Sequence, residues 1–187
     1  MPLQAIISSL GLVLATEIGD KTMLTTMCFS AQYRRPLIVL TATMIALGIS
    51  SAIGVIIGFI LSATLPINLI IYISGGLFII LGIYSLLNSS LEEIDSCDNP
   101  TTFLGMVSLV LFSELGDKSQ IAILALAASS IYPILVFLGA MTGFLVVNLF
   151  GVLAGDYISN KISMNRIRKV TGLIFIAFGI AVLLGIF

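Results

Sequence analysis

The sequence predicts an all-α integral membrane protein of six transmembrane helices, arranged as two inverted three-helix repeats. Three observations predict it. The 187 residues are 59% hydrophobic and only 9% charged, with a mean hydropathy of +1.21, too little polar surface for a soluble domain of this length. The apolar residues fall in long runs, and crossing the hydrocarbon takes roughly 20 residues per helix. The chain also aligns with itself without a gap at an offset of 97 residues, and such internal repeats define an architecture.

The runs place spans at 4–30, 36–61, 66–88, 102–128, 132–158 and 167–186. The first begins in "MPLQAIISSLGLVLA", which lacks a basic leader region and stays apolar past Glu17 towards Cys28. It therefore reads as a retained helix rather than a cleaved signal. Pro36, Pro66 and Pro133 stand at span starts, where a missing N–H is harmless. The acidic stretch "NSSLEEIDSCDNPT", Asn88 to Thr101, is the one substantial linker. It divides the chain into a first repeat (1–88), a linker (89–101) and a second repeat (102–187).

In the repeat alignment Glu17 meets Glu114, Gly19 meets Gly116, Asp20 meets Asp117 and Lys21 meets Lys118. Pro36 meets Pro133, Gly54 meets Gly151, Gly58 meets Gly155, Gly75 meets Gly172, and Phe78 meets Phe175. Unrelated apolar segments share leucines by chance, but not these glycines, prolines and charges in one register. Three helices per half is an odd number, so the second half enters the bilayer from the opposite side. Arg34 and Arg35 in the first loop, and Lys161, Arg166, Arg168 and Lys169 in the fifth, mark one face as cytoplasmic. Both termini then face outward. Gly54/Gly58, Gly151/Gly155 and Gly139/Gly143 are GxxxG pairs, expected to pack helices closely or to line a sliding surface.

The charges that interrupt spans one and four carry the chemistry. On a continuous helix Glu17, Asp20 and Lys21 share one face, and so do their repeats Glu114, Asp117 and Lys118. A charge at the bilayer centre costs at least about 2.5–3.5 kcal/mol, so these groups must meet each other, water or an ion. Four carboxylates against two ammonium groups leave a formal charge of −2, which one divalent cation or protons would balance. With the hydroxyls of Thr22 and Ser119 and the amide of Gln120, the donor set is all oxygen. It suits Ca²⁺, Mn²⁺ or Mg²⁺. Gly19 and Gly116 allow close backbone approach or local unwinding. The competing reading is a pair of structural ion pairs, Glu17–Lys21 and Glu114–Lys118.

Histidine and tryptophan are absent, so no HExxH protease and no histidine proton relay is present. No phosphate-binding GxxxxGK stretch occurs, and no nucleophile–base pair suggests an enzyme. No cofactor, nucleic-acid partner, cysteine–metal site or disulfide is expected from Cys28 and Cys97. Asn148, opposite Ser51 in the repeat, either lines the pathway or bonds two helices. Asp156 is solvated or paired with Lys161. The run "EEIDSCD" reads as a solvated loop.

"EIGDKT" and "ELGDKS", Glu17 to Thr22 and Glu114 to Ser119, resemble the duplicated E-x-G-D-[KR]-[ST] signature of the GDT family. That family, within the lysine-exporter superfamily, comprises calcium/manganese cation:proton antiporters with relatives in Golgi and chloroplast membranes. The resemblance spans both halves and the central acidic loop. It implies secondary transport of Mn²⁺ or Ca²⁺ against protons across a lipid bilayer, with Glu17, Asp20, Glu114 and Asp117 as ion-binding acids. Lys21, Lys118, Thr22 and Ser119 fill the remaining motif positions. The short N-terminus implies a multi-pass protein of a prokaryotic plasma membrane. Export of cationic amino acids, and a non-transporting membrane scaffold, are the alternatives.

Overall fold

The computed structural model describes residues 2–33, 35–87, 102–158 and 164–185. Among them are eight helices: α1 (Pro2–Glu17), α2 (Lys21–Tyr33), α3 (Pro36–Thr64), α4 (Ile67–Leu87), α5 (Phe103–Glu114), α6 (Lys118–Ser129), α7 (Pro133–Ile158) and α8 (Met164–Leu183). The element boundaries repeat at the same offset as the sequence. Glu17 ends α1 as Glu114 ends α5, and Lys21 opens α2 as Lys118 opens α6. Pro36 and Pro133 open α3 and α7, and Ile67 and Met164 open α4 and α8.

Two expected helices are broken. The first expected span, 4–30, divides into α1 and α2, which meet at 70°. The fourth, 102–128, divides into α5 and α6, each of 12 residues. The cause is the glycine of each motif: Gly19 has φ 77° and Gly116 φ 85°, a left-handed conformation no α-helix contains. Glu17, Asp20 and Lys21 therefore do not share one helical face.

Among the described residues, three helices are long and apolar enough to cross a membrane: Pro36–Thr64, Ile67–Leu87 and Pro133–Leu153. The bent pair α1–α2 makes a fourth if taken as one span. Large apolar side chains such as Phe59 on α3, Tyr72 and Ile80 on α4, and Phe150 and Leu153 on α7 stand exposed on the outside, the surface a protein offers to lipid rather than water.

The long helices lie along the broken ones. A Cβ at Gly139 of α7 would meet Ile6 and Ser9, and one at Gly143 would meet Val13. Farther along α7, Gly151 faces Met23 and Met27. So α7 follows α1 and then α2 in the same chain direction. In the same way Ala42 and Ala46 of α3 pack with Met106 and Val110 of α5. Gly54 then faces Gln120 and Leu124 of α6, and Gly58 faces Leu124 and Ala127. Thus α5 and α6, each too short to span alone, succeed one another along the 29-residue α3. Each long helix carries the broken pair of the other half.

The third helices of the halves meet face to face. A Cβ at Gly75 would lie 3.0 Å from the Gly179 carbonyl oxygen, and one at Gly82 would lie 2.7 Å from that of Gly172. Position advances along α4 as it recedes along α8, so the two run antiparallel. Phe78 and Phe175, equivalent in the repeat, are both buried, with ring centroids 6.0 Å apart.

The linker 89–101, Cys97 and Lys161 lie outside the described residues, as do the side-chain surroundings of Gly155 and Asp156. Cys28 is disulfide-bonded, against the expectation of no disulfide.

Candidate metal site

Each break is a tight turn whose type dictates the motif. The Asp20 amide donates to the Glu17 carbonyl at 3.1 Å, and the Asp117 amide to the Glu114 carbonyl at 3.2 Å. Leu115 has φ −66° and ψ 112° and is followed by Gly116 at φ 85°. These are the angles of a type II turn, whose third residue must tolerate positive φ. The spacing Glu-x-Gly-Asp is thus the turn itself: acid at the first position, glycine at the third, acid at the fourth. A turn holds its first and fourth residues close, as one helical face would have done. It also leaves each glutamate at the C-terminus of one half-helix and each aspartate just before the N-terminus of the next.

The two turns come together at the centre of the fold. Carboxylate oxygens of Glu17, Glu114 and Asp117 lie within 4.8 Å of one another. Glu17 is 1% exposed and Glu114 3%. The surroundings of the two glutamates differ. Thr22 of α2 donates its hydroxyl to Glu114 Oε1 across the two halves, and Ser119 donates to Glu114 Oε2 at 3.2 Å. Glu17 receives neither: both its oxygens are buried without a hydrogen-bond partner.

Of the four predicted acids, three therefore gather. Asp20 stands at the rim, with its Oδ1 accepting the Lys21 amide at 2.9 Å. Lys21 is exposed and Lys118 half-buried. A Glu17–Lys21 ion pair does not account for the buried glutamate, because neither of its oxygens has a donor within hydrogen-bond distance among the described residues. The Gln120 side chain spans two elements. Its Oε1 accepts the Gly116 amide, closing the break, and its Nε2 donates to the Ser50 carbonyl of α3 at 3.2 Å. At the matching place in the first half, the Gly19 amide meets the thioether of Met23 at 3.3 Å.

This donor set fits a hard divalent cation. Two orphaned carboxylate oxygens, aimed at two further carboxylates in an apolar surround, carry a charge that must be neutralised by a cation or by protons. Such closely spaced acids bind protons as a set, and a metal competes for the same oxygens. The packing glycines are elsewhere: Gly54, Gly58 and Gly151 are contact points of α3 with α6 and of α7 with α2.

A second polar cluster lies one helical turn along α2 from Thr22, and sequence reading found only one member of it. The single hydroxyl proton of Thr26 is shared between Asn148 Oδ1 of α7 at 2.9 Å and the Thr22 carbonyl of its own helix at 2.8 Å, and the hydroxyl stands 3.4 Å from that of Thr43 of α3. Asn148 Nδ2 donates to the Phe144 carbonyl at 2.9 Å. Of the two readings of Asn148, the structure shows the bond between two helices, α7 and α2. Thr26 and Thr43 gave no sequence signal, since an isolated threonine in an apolar helix ordinarily bonds its own preceding turn.

Comparison with known proteins supplies the remaining context. The sequence profile of the family described as divalent cation/proton antiporter GDT1 matches residues 5–93 and 102–187. A GDT1-like protein of Schizosaccharomyces pombe is 27% identical over 95% of this chain and 81% of its own length. A Vibrio cholerae protein, named as a proposed manganese exporter, is 26% identical over 96% of this chain and 92% of its own. The chloroplast PAM71-homolog of Arabidopsis thaliana is 30% identical over 96% of this chain and 59% of its own. No solved structure matches the chain.

Proposed function

The chain belongs to the GDT1 family of divalent cation/proton antiporters, transporters rather than enzymes, and from that premise we propose that it exports Mn²⁺ from the cytoplasm in exchange for protons. Ca²⁺ is the second cation the site would accept. The observation that carries this reading is Glu17, buried with both oxygens unpartnered and within 4.8 Å of two further carboxylates. The choice of manganese draws on the name of the Vibrio cholerae relative. Oxygen ligands by themselves admit Mn²⁺, Ca²⁺ and Mg²⁺ alike.

The mechanism follows from shared ligands. Ionised, the acids of the two turns hold the cation with help from the Thr22 and Ser119 hydroxyls; protonated, they release it. A site open alternately to each side exchanges one for the other. Asp20 joins Glu17, Glu114 and Asp117 in the loaded site, while Lys21 and Lys118 orient the acids. Six crossings as two inverted repeats, with residues 1–88 and 102–187 as the halves, are supported by the helix directions. Parallel α1–α2 with α7, parallel α5–α6 with α3, and antiparallel α4 with α8 are the pattern a six-crossing inverted chain requires. The basic first and fifth loops favour a cytoplasmic placement, with both termini outside a prokaryotic plasma membrane.

Uptake into proteoliposomes under an imposed pH gradient tests the proposal. Saturable Mn²⁺ flux that collapses with the gradient is expected, with Ca²⁺ competing and Mg²⁺ compared beside it. Flux blocked by lysine and indifferent to Mn²⁺ would sink the metal reading.

A further inference from the structure

We infer that Asn148 is a positioning residue for the carboxylate site: by holding Thr26 it fixes the rotation of α2 and so delivers the Thr22 hydroxyl to Glu114. The turn at residues 17–20 interrupts the hydrogen-bond ladder between α1 and α2. The rotation of α2 about its own axis is therefore not inherited from α1 and must be set by tertiary contact. Gly151 of α7 against the side chain and carbonyl oxygen of Met23 brings the helices close without a side-chain hydrogen bond. Two side-chain hydrogen bonds tie α2 to α7: half-buried Ser30 to the Val152 carbonyl at 3.3 Å near the far end of α2, and fully buried Thr26 to Asn148, one turn from Thr22.

Its geometry leaves little freedom. The Phe144 carbonyl takes an N–H from Asn148 Nδ2, so the amide cannot flip without setting two oxygens against each other, and Oδ1 must face α2. Thr26 and Asn148 are both fully buried, so no water can replace either partner without opening the helices. Thr26 lies four residues after Thr22, on the same face of α2. Turning the helix enough to part Thr26 from Asn148 also parts Thr22 from Glu114. The cluster is not a proton wire to the site: the link from Thr26 back to Thr22 is to the backbone carbonyl, at 2.8 Å, which relays no proton.

The second half is anchored at a different point. The positions equivalent to Thr26 and Asn148 are Ile123 and Ser51, and α6 is tied to α3 through Gln120 and the Ser50 carbonyl. The Asn148 anchor therefore belongs to one half alone. It serves the Thr22 hydroxyl, which reaches across the halves to Glu114.

The test is a double-mutant cycle on purified wild-type and variant protein, read as equilibrium Mn²⁺ affinity and as proteoliposome transport. Asn148→Leu keeps the branched outline of the side chain and removes the anchor, while Thr26 keeps the Thr22 carbonyl as acceptor. Its Kd and KM for Mn²⁺ should rise about tenfold, the low end for a hydrogen bond to a charged group, with Vmax nearly unchanged. Thr22→Val should do the same, and the two together should be no worse than either, because both remove one contact. Thr26→Val/Asn148→Leu, an apolar pair, serves if the single variant folds poorly and should match it. Unchanged affinity, or effects that multiply, would overturn the inference. The transport arm rests on the antiporter reading. Wild-type Mn²⁺ binding without transport defeats that reading alone and leaves the cycle in Kd decisive, while absence of wild-type binding defeats both.

Discussion

Glu17 and Glu114 show how two identical residues in one repeat come to differ. Both end a half-helix, and both are buried. Yet Glu114 collects hydroxyls from Thr22 and Ser119, while Glu17 collects none. A carboxylate left without donors in an apolar surround is destabilising to the empty protein unless something neutralises it. Glu17→Gln should therefore leave the metal-free protein as stable as wild type or more so. It should also abolish the rise in melting temperature that saturating Mn²⁺ produces, a rise that corresponds to about 2.7 kcal/mol at a hundredfold excess over Kd. Thermal unfolding in detergent, with and without Mn²⁺, reads both. A Glu17→Gln protein that still gains the full metal stabilisation would remove Glu17 from the site. The acids were legible from sequence because a charge in an apolar run is conspicuous. Their unequal partners were not, because the donors come from helices distant in the chain.

At the scale of elements, glycines do two separate jobs, and substitution tells them apart. Gly116 sits at φ 85°, and a Cβ there would meet nothing within 4 Å. Gly116→Ala therefore costs only the left-handed backbone penalty, about 1–2 kcal/mol, and the strain falls on the turn that carries Glu114 and Asp117. Gly58 is helical, but a Cβ there would stand 2.6 Å from the Leu124 carbonyl and 3.0 Å from the Ala128 amide. Backbone cannot step aside as a side-chain tip can, so Gly58→Ala should push α3 off α6 at about 1–3 kcal/mol. The expected contrast is in transport by the folded fraction. Gly116→Ala lowers Mn²⁺ affinity, whereas Gly58→Ala lowers yield and melting temperature and spares affinity. Equal loss of affinity in both would mean that the turn has no special hold on the acids. The GxxxG pattern announced close packing in the sequence, and the motif glycine announced permissiveness. That the latter becomes a full type II turn, breaking an expected 27-residue span, needed the structure.

At the scale of the molecule, the two halves exchange supports. Helix α7 carries α1 and α2, α3 carries α5 and α6, and α4 meets α8 antiparallel through Gly75–Gly179 and Gly82–Gly172. Two equivalent helices that run antiparallel across their contact are what a two-fold axis in the membrane plane generates. Repeats related along the membrane normal would set them parallel. Positions matched in the repeat should accordingly lie on opposite faces of the membrane. Arg35→Cys and Tyr132→Cys, just before α3 and α7, provide the test in a background lacking Cys28 and Cys97. An impermeant thiol reagent should reach the two from opposite sides. Labelling of both from one side would contradict inversion.

The sequence by itself determined what is written in composition and in register. It specified an all-helical membrane protein, a repeat at an offset of 97, the packing glycines, and four acids, three of which gather at the breaks, Glu17, Glu114 and Asp117, because burial of charge and absence of polar surface are penalties any fold must answer. Only the tertiary structure decided how those acids meet. Whether Glu17 shares a hydroxyl donor, whether Asp20 joins the inner three, and which helix restrains α2 all depend on side chains approaching from elements far apart in the chain. Local rules fix where a helix breaks. Only packing fixes what the broken ends face.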